Sequence, residues 1–322
     1  MTMKQVDHYS DRYWNDLAVV RAHLCRIATG DGGVWWPAHL KNRYATPPRE
    51  RGLIIACGNG WVERELYDLG IARHFDAFDP NLAYLEEALR LKGSRSIDYF
   101  PATFTDFPLD HKYDLIVNVA ALHHARHLYR TLERLSRALL PHGLMVNFDY
   151  VGPSRNQYSP WHLERMVQAN DSLPESLRSP HSLIPPLETM VEEDPTEAVH
   201  SEEVLSAIEL YFETVERHDL GGGLAYQILW NNIEPFSDES NEHAQRELER
   251  LLTLDWELTR KRELPTLFTF LLARPRCGAP PLRARYARWV MEPLREALSR
   301  KLLDNYYPRE IFRRWRTRGS LP

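Results

Sequence analysis

Cysteine is scarce in this chain: Cys25, Cys57 and Cys277 are the only three among 322 residues. They are odd in number, far apart and without a C-x-x-C pair, which argues against a disulfide framework and against a thiolate zinc site. Long apolar runs are missing too. The most apolar late stretch, Leu264–Ala273, is too short to span a bilayer, and residues 1–20 are polar and charged, so neither a transmembrane helix nor a signal peptide is expected. Internal repeats and low-complexity tracts are also lacking. These absences leave the expectation of a soluble globular protein of a reducing cytoplasm, with 43% hydrophobic residues to build its core.

Charge is present in both signs but unevenly placed. Cut at Arg276, the last 47 residues carry +8 and the preceding 275 carry −13. The tail has Tyr286, Trp289, Val290, Leu294, Leu302 and Leu303 at near-helical spacing among its arginines, followed by Ile311, Phe312 and Trp315. Such a segment either docks its apolar face on the acidic body or lies on an anionic membrane. Nucleic acid is not an expected partner, because the acidic body repels phosphate.

Apolar positions recur at helical spacing over residues 7–28, and from Gly52 short apolar runs alternate with amphipathic helices. Strands are read at Leu53–Ala56, His74–Phe78, Ile97–Ala102, Tyr113–Val119 and Leu144–Phe148, with helices at Val62–Leu69, Leu82–Leu91 and Leu128–Leu140. This rhythm predicts a parallel sheet covered on both faces. After Asp149 it breaks over a proline-rich stretch read as an inserted lid. Strands at Thr214–His218 and Thr266–Ala273, with a charged helix Glu242–Arg262 between them, follow.

The first strand runs into Ala56-Cys57-Gly58-Asn59-Gly60, a glycine turn that opens a helix, and Asp79 stands nineteen residues past Gly60 at the end of the next strand. Glycines let the backbone approach a ligand closely, and a carboxylate at that distance accepts hydrogen bonds from both ribose hydroxyls of a nucleoside. A dinucleotide fingerprint would place a third glycine near position 63, where this chain has Val62 and Glu63. That bulky, anionic first turn disfavours a nicotinamide cofactor and suits a cationic sulfonium.

Together with Tyr113-Asp114-Leu115-Ile116-Val117, Leu122-His123-His124 and Leu140-Pro141-His142-Gly143-Leu144, these segments resemble the successive motifs of class I S-adenosylmethionine-dependent methyltransferases over about residues 50–150. The resemblance implies an α/β, Rossmann-like, doubly wound seven-stranded sheet with its last strand antiparallel, and S-adenosyl-L-methionine as cofactor. It places Ala56, Gly58, Gly60, Asp79, Pro80, Thr103, Phe104 and Asn118 at the cofactor; whether Asp106 or Phe104 with backbone groups meets the adenine stays open. Asp149–Gln157 and Asp194–Val199 resemble a bacterial subgroup that modifies glycans and small metabolites.

The acceptor side is read from strand ends. His123 and His124 follow the fourth strand, where an imidazole titrating near neutrality can take a hydroxyl proton, although one of the pair is expected to pack in the core. Tyr150, Arg155, Gln157 and Tyr158 either face the acceptor pocket or are solvated loop residues. No metal site is expected, because no carboxylate or third histidine stands at telling spacing from the pair. Tyr13-Trp14-Asn15 either covers the cofactor or packs its aromatics in the core. The expected organisation is a helical cover at 1–49, a catalytic domain at 50–275 with a lid at about 150–213, and a basic helical tail at 276–322. The expected function is O-methylation of a small molecule or glycan with a histidine base. Its rival is a catalytically silent cofactor-binding protein that recruits a partner through the tail.

Overall fold

The computed structural model describes residues 13–230, 232–278 and 281–294. Two compact units are present, Tyr13–Ala279 and Met1–Arg12 with Pro280–Pro322. In chain order the first holds α1 (Ala18–Thr29), α2 (Trp36–Tyr44), β1 (Arg49–Ile55), α3 (Trp61–Asp68), β2 (Ala72–Asp79), α4 (Leu82–Leu91), β3 (Ile97–Pro101) and β4 (Tyr113–Val119). It continues with α5 (Leu128–Ala138), β5 (Leu139–Tyr150), α6 (Pro160–Asp171), α7 (Leu187–Glu193), α8 (Val204–Tyr211), β6 (Phe212–Gly221), α9 (Ala225–Trp230), α10 (Glu242–Arg260) and β7 (Phe268–Pro275).

The seven strands form one sheet in the order β3-β2-β1-β4-β5-β7-β6, parallel throughout except for β7, which runs antiparallel to β5 and β6. The central strands β4, β5 and β7 are buried on both faces over most of their length, as a sheet sandwiched between helices requires, while the edge strands β3 and β6 are largely exposed or half-buried. Close packing across β1 and β2 depends on Gly52, where a Cβ would fall 2.4 Å from the Phe75 ring. Between β1 and β4 the strand order reverses, with Ile54 paired to Val117. Loops leaving the carboxyl ends of these two strands therefore face one crevice, the place where this class of sheet binds ligands.

The helices before β1 are part of the core rather than a separate cover. Trp14 is buried against Tyr226 and Phe268, and Trp36 against Phe148 and Phe270, while Tyr13 is exposed. The start of the helix read from residue 7 lies outside the described residues.

The insertion after β5 is more ordered than its prolines imply. Pro160 occupies the first turn of α6, where its missing N–H costs nothing, and the Ser159 hydroxyl caps that helix by accepting from His162 N at 3.2 Å. Proline starts this helix instead of breaking it.

Of the tail, residues 281–294 are described and hold α11 (Leu282–Tyr286) and a π-helical turn, Ala287–Met291. Leu282, Tyr286, Trp289 and Leu294 are exposed there; Leu302, Leu303, Ile311, Phe312 and Trp315 lie outside the described residues. No helix among the described residues is long and apolar enough to cross a membrane.

Candidate functional site

One side of the crevice is built from the loop after β1. Ala56, Gly58 and Gly60 all take positive φ, at 46°, 55° and 79°, so the backbone turns sharply at the strand end, with Cys57 N donating to Phe78 O and Gly60 N to Cys57 O. A Cβ at Gly60 would fall 2.5 Å from the Tyr99 hydroxyl and 2.7 Å from Glu63 Oε1, so no other residue fits. Glu63 is fully buried beneath this loop, and burial pushes its carboxyl up to about 7. Its side chain is turned into the interior, which corrects the expectation of an anionic helix turn facing the ligand.

Asp79 ends β2 with each carboxylate oxygen holding one backbone N–H, Gly58 N to Oδ2 at 2.9 Å and Asn81 N to Oδ1 at 2.8 Å. The carboxylate thereby ties the glycine loop to the next strand. Each oxygen keeps a further lone pair able to accept from a hydroxyl. Pro80 beside it is exposed, as is Thr103, whose N–H and hydroxyl both donate to Asp106 Oδ1, at 2.6 and 2.8 Å. Phe104 packs edge-on to Phe78. Asn118 is placed differently from the expectation: it is fully buried, with Nδ2 donating to Asn147 and Asp149 and Oδ1 accepting from Leu122 N. Its amide organises the turn that presents the two histidines.

That turn, Leu122–His124, carries the second group of polar side chains at the strand ends. Asp149 on β5 accepts from His123 Nδ1 at 2.6 Å, from Asn118 Nδ2 at 2.8 Å and from Tyr150 N at 2.9 Å. A carboxylate only accepts, so the His123 proton sits on Nδ1 and Nε2 points away, 3.6 Å from Glu197 Oε2. His124 obeys the same logic. Thr196 Oγ1 donates to Asp194 Oδ1 at 2.6 Å, so at 3.1 Å from His124 Nδ1 it can only accept, which leaves the lone pair on Nε2, 3.5 Å from Glu197 Oε2. The two rings lie 4.1 Å apart and turn their Nε2 atoms to one carboxylate.

Burial disfavours the cation on both rings. At His123 the Asp149 and Glu197 carboxylates outweigh it and push the pKa up, whereas at His124 the neighbouring His123 adds to it and pushes the pKa down. His123 is 8% exposed and His124 28%, so a ligand in the crevice reaches His124 first.

Glu197 arrives from the insertion, and Arg155 holds it there. The Arg155 guanidinium donates to the carbonyls of Pro195 at 2.7 Å, Glu197 at 3.0 Å and Asp194 at 3.4 Å, and its N–H donates to Ala198 O at 2.8 Å. Val199 N completes the docking on His123 O at 3.1 Å. The expected acceptor contact of Arg155 is thus a loop clamp. Tyr150 and Tyr158 are buried, with Tyr150 donating to Pro153 O and Gln227 donating to Tyr158, so neither hydroxyl lines the crevice. Gln157 is exposed and donates to the Arg155 and Pro185 carbonyls. Sequence reading missed Asp149 and Glu197 as site residues; the one signal was the acidic residue inside Asp194-Pro195-Thr196-Glu197.

Residues 53–147 match a family model described as a methyltransferase domain. Among solved structures, an S-adenosylmethionine-dependent methyltransferase from Mesorhizobium loti is 17% identical over 74% of this chain and 96% of its own, with a TM-score of 0.47. The N-methyltransferase NodS from Bradyrhizobium japonicum WM9, solved with S-adenosyl-L-homocysteine, is 14% identical over 80% of this chain and 84% of its own, with a TM-score of 0.40. No curated protein matches the sequence.

Proposed function

We propose, from the premise that residues 53–147 are an S-adenosylmethionine-dependent methyltransferase domain, that this chain methylates a hydroxyl of a small metabolite or glycan and that His124 is the base. The cofactor supplies an electrophilic methyl group on a sulfonium. Gly58 and Gly60 let the backbone close on it, and Asp79 accepts from its ribose. The acceptor oxygen enters at the histidine end and gives up its proton to His124 Nε2 as it takes the methyl group, so that attack is by a near-alkoxide inside a water-poor crevice. One observation carries this reading: the Thr196–Asp194 pair fixes the His124 proton on Nδ1 and leaves a lone pair on Nε2 of a partly exposed ring.

The test is turnover of labelled cofactor with a panel of hydroxylated acceptors. His124→Ala is expected to lose about a hundred-fold in rate, as general bases do, with cofactor affinity unchanged. Near-normal turnover in the folded variant with a genuine acceptor would remove the assignment.

We further propose that the +8 tail holds the enzyme at an anionic lipid surface, supported by exposed Leu282, Tyr286, Trp289 and Leu294 beside Arg283 and Arg288. The full chain should sediment with anionic vesicles at low salt, be released at high salt, and lose binding when truncated at Arg276. Binding that survives truncation would refute this placement.

A further inference from the structure

The insertion brings Glu197 to the histidine pair from more than seventy residues away, and the group so formed is more than a base with a neighbour. One donor atom from each of His123, His124 and Glu197 lies within 4.8 Å of the others. The measured separations from Glu197 Oε2 to the two Nε2 atoms are 3.6 and 3.5 Å. Ligands at about 2.0–2.2 Å from a tetrahedral zinc ion sit roughly 3.3–3.5 Å from one another, so these two separations are close to those of a coordination sphere.

Orientation agrees with spacing. Each imidazole carries a proton on Nδ1 and turns Nε2 to Glu197, His123 through the buried Asp149 carboxylate and His124 through Thr196 backed by Asp194. A cation at the group would take the place of the second proton that Asp149 and Glu197 favour on His123. A histidine that donates its distal N–H to a carboxylate or its relay is the usual outer support of a metal ligand. Asp149 is 1% exposed and held in turn by Asn118, so the support is rigid. The second grouping of this kind, His74 with Asp76 and Asp98, lacks these features. Both Asp76 oxygens there accept from the Arg51 guanidinium, whose charge repels a cation.

We propose that His123, His124 and Glu197 form a binding site for a divalent transition-metal ion of the zinc, cobalt or iron class, with an open coordination position toward the crevice. Two imidazoles and one carboxylate make the donor set such ions prefer, and three protein ligands leave room for an oxygen of the acceptor. With the ion bound, coordination would replace His124 in acidifying the acceptor hydroxyl, its proton passing to solvent. The inference rests on the methyl-transfer reading for this use alone, not for the site.

The test uses the full chain, stripped of metal with a chelator and titrated with Co²⁺ without cofactor or acceptor. A saturable visible absorption, displaced by Zn²⁺, is expected. Glu197→Gln, which keeps the backbone clamp to Arg155, should weaken cobalt at least ten-fold, and Asp149→Asn by about ten- to a hundred-fold. His124→Asn is the second ligand variant should Glu197→Gln fail to fold, and Asp98→Ala should bind as the parent does. No saturable cobalt signal in the parent chain, or equal affinity in the parent and the folded ligand variants, would overturn the site. Because cobalt is read without turnover, its failure leaves the methyltransferase reading standing, and a cobalt-binding chain without turnover removes that reading alone.

Discussion

Arg155 gives the sharpest test of how the insertion is held over the crevice. It adopts φ of 59°, a left-handed conformation costly for any residue but glycine, and it donates to three carbonyls of the loop that carries Glu197. A hydrogen bond to a charged group contributes about 1.5–3 kcal/mol, and partial exposure favours the lower end. The two shorter bonds therefore hold the loop by about 3 kcal/mol. Arg155→Ala removes them and keeps the backbone strain, so local opening should rise roughly a hundred-fold at about 1.4 kcal/mol per ten-fold. Arg155→Gly also removes them but relieves about 1 kcal/mol of left-handed strain, so opening should rise only about thirty-fold. Native-state hydrogen exchange reads this at Val199, whose N–H is held by the His123 carbonyl, while amides in β1 and β4 should keep their protection. Turnover should fall in the same order with cofactor affinity unchanged. Unchanged Val199 protection in both variants would refute the clamp, and greater opening in the glycine variant would refute the strain argument.

Two further outcomes follow from the glycine loop and its neighbours. Asp79→Ala should weaken S-adenosylmethionine binding by about ten- to a hundred-fold, since a charged hydrogen bond contributes about 1.5–3 kcal/mol; calorimetry showing an unchanged dissociation constant would end its ribose role. Glu63 has its folded pKa raised from 4.5 to about 7, so the folded state keeps a proton that the unfolded chain has lost, and stability falls as pH rises between these values. The full effect is about 3 kcal/mol at 1.36 kcal/mol per pKa unit, so Glu63→Gln should match the parent near pH 4.5 and exceed it by up to that amount above pH 7. Parallel denaturation profiles for the two proteins across this range would contradict it.

The sheet was legible because each strand and helix repeats a local signal. Tyr113–Val119 and Leu82–Leu91 are observed with the limits read from their apolar patterns, and the two last strands were found within three residues of their observed ends. Helix α6 was not, because a run of prolines reads as irregular chain until the cap that turns Pro160 into a helix start is seen. The meeting of the glycine loop with Asp79 was legible for the same reason as the sheet: the two lie on consecutive elements of one supersecondary unit, so sequence distance fixes their spacing.

The group around the two histidines obeys no such rule. His123 and His124 were found because they adjoin a strand end, but Asp149 sits on another strand and Glu197 on an insertion whose path no local pattern encodes. What joins them is tertiary: Asn118 ties the histidine turn to Asp149, and Arg155 ties the Glu197 loop to the segment after β5. Backbone strain collects at the same joints, with Ala120, Arg155, Asn156 and Ala198 all at positive φ although none is glycine. Strain of about 1–3 kcal/mol at such a residue persists only where its surroundings over-determine it. Here the bonds from Ala120 N to Phe148 O and from Arg155 N to Ala198 O do so, and each of them places a neighbour of the His123, His124 and Glu197 group. Tyr150, Tyr158 and Gln157 show the converse. They lie within nine residues of Asp149 in sequence, yet their polar groups are engaged with the chain around them, so proximity to the strand end was not by itself a mark of function.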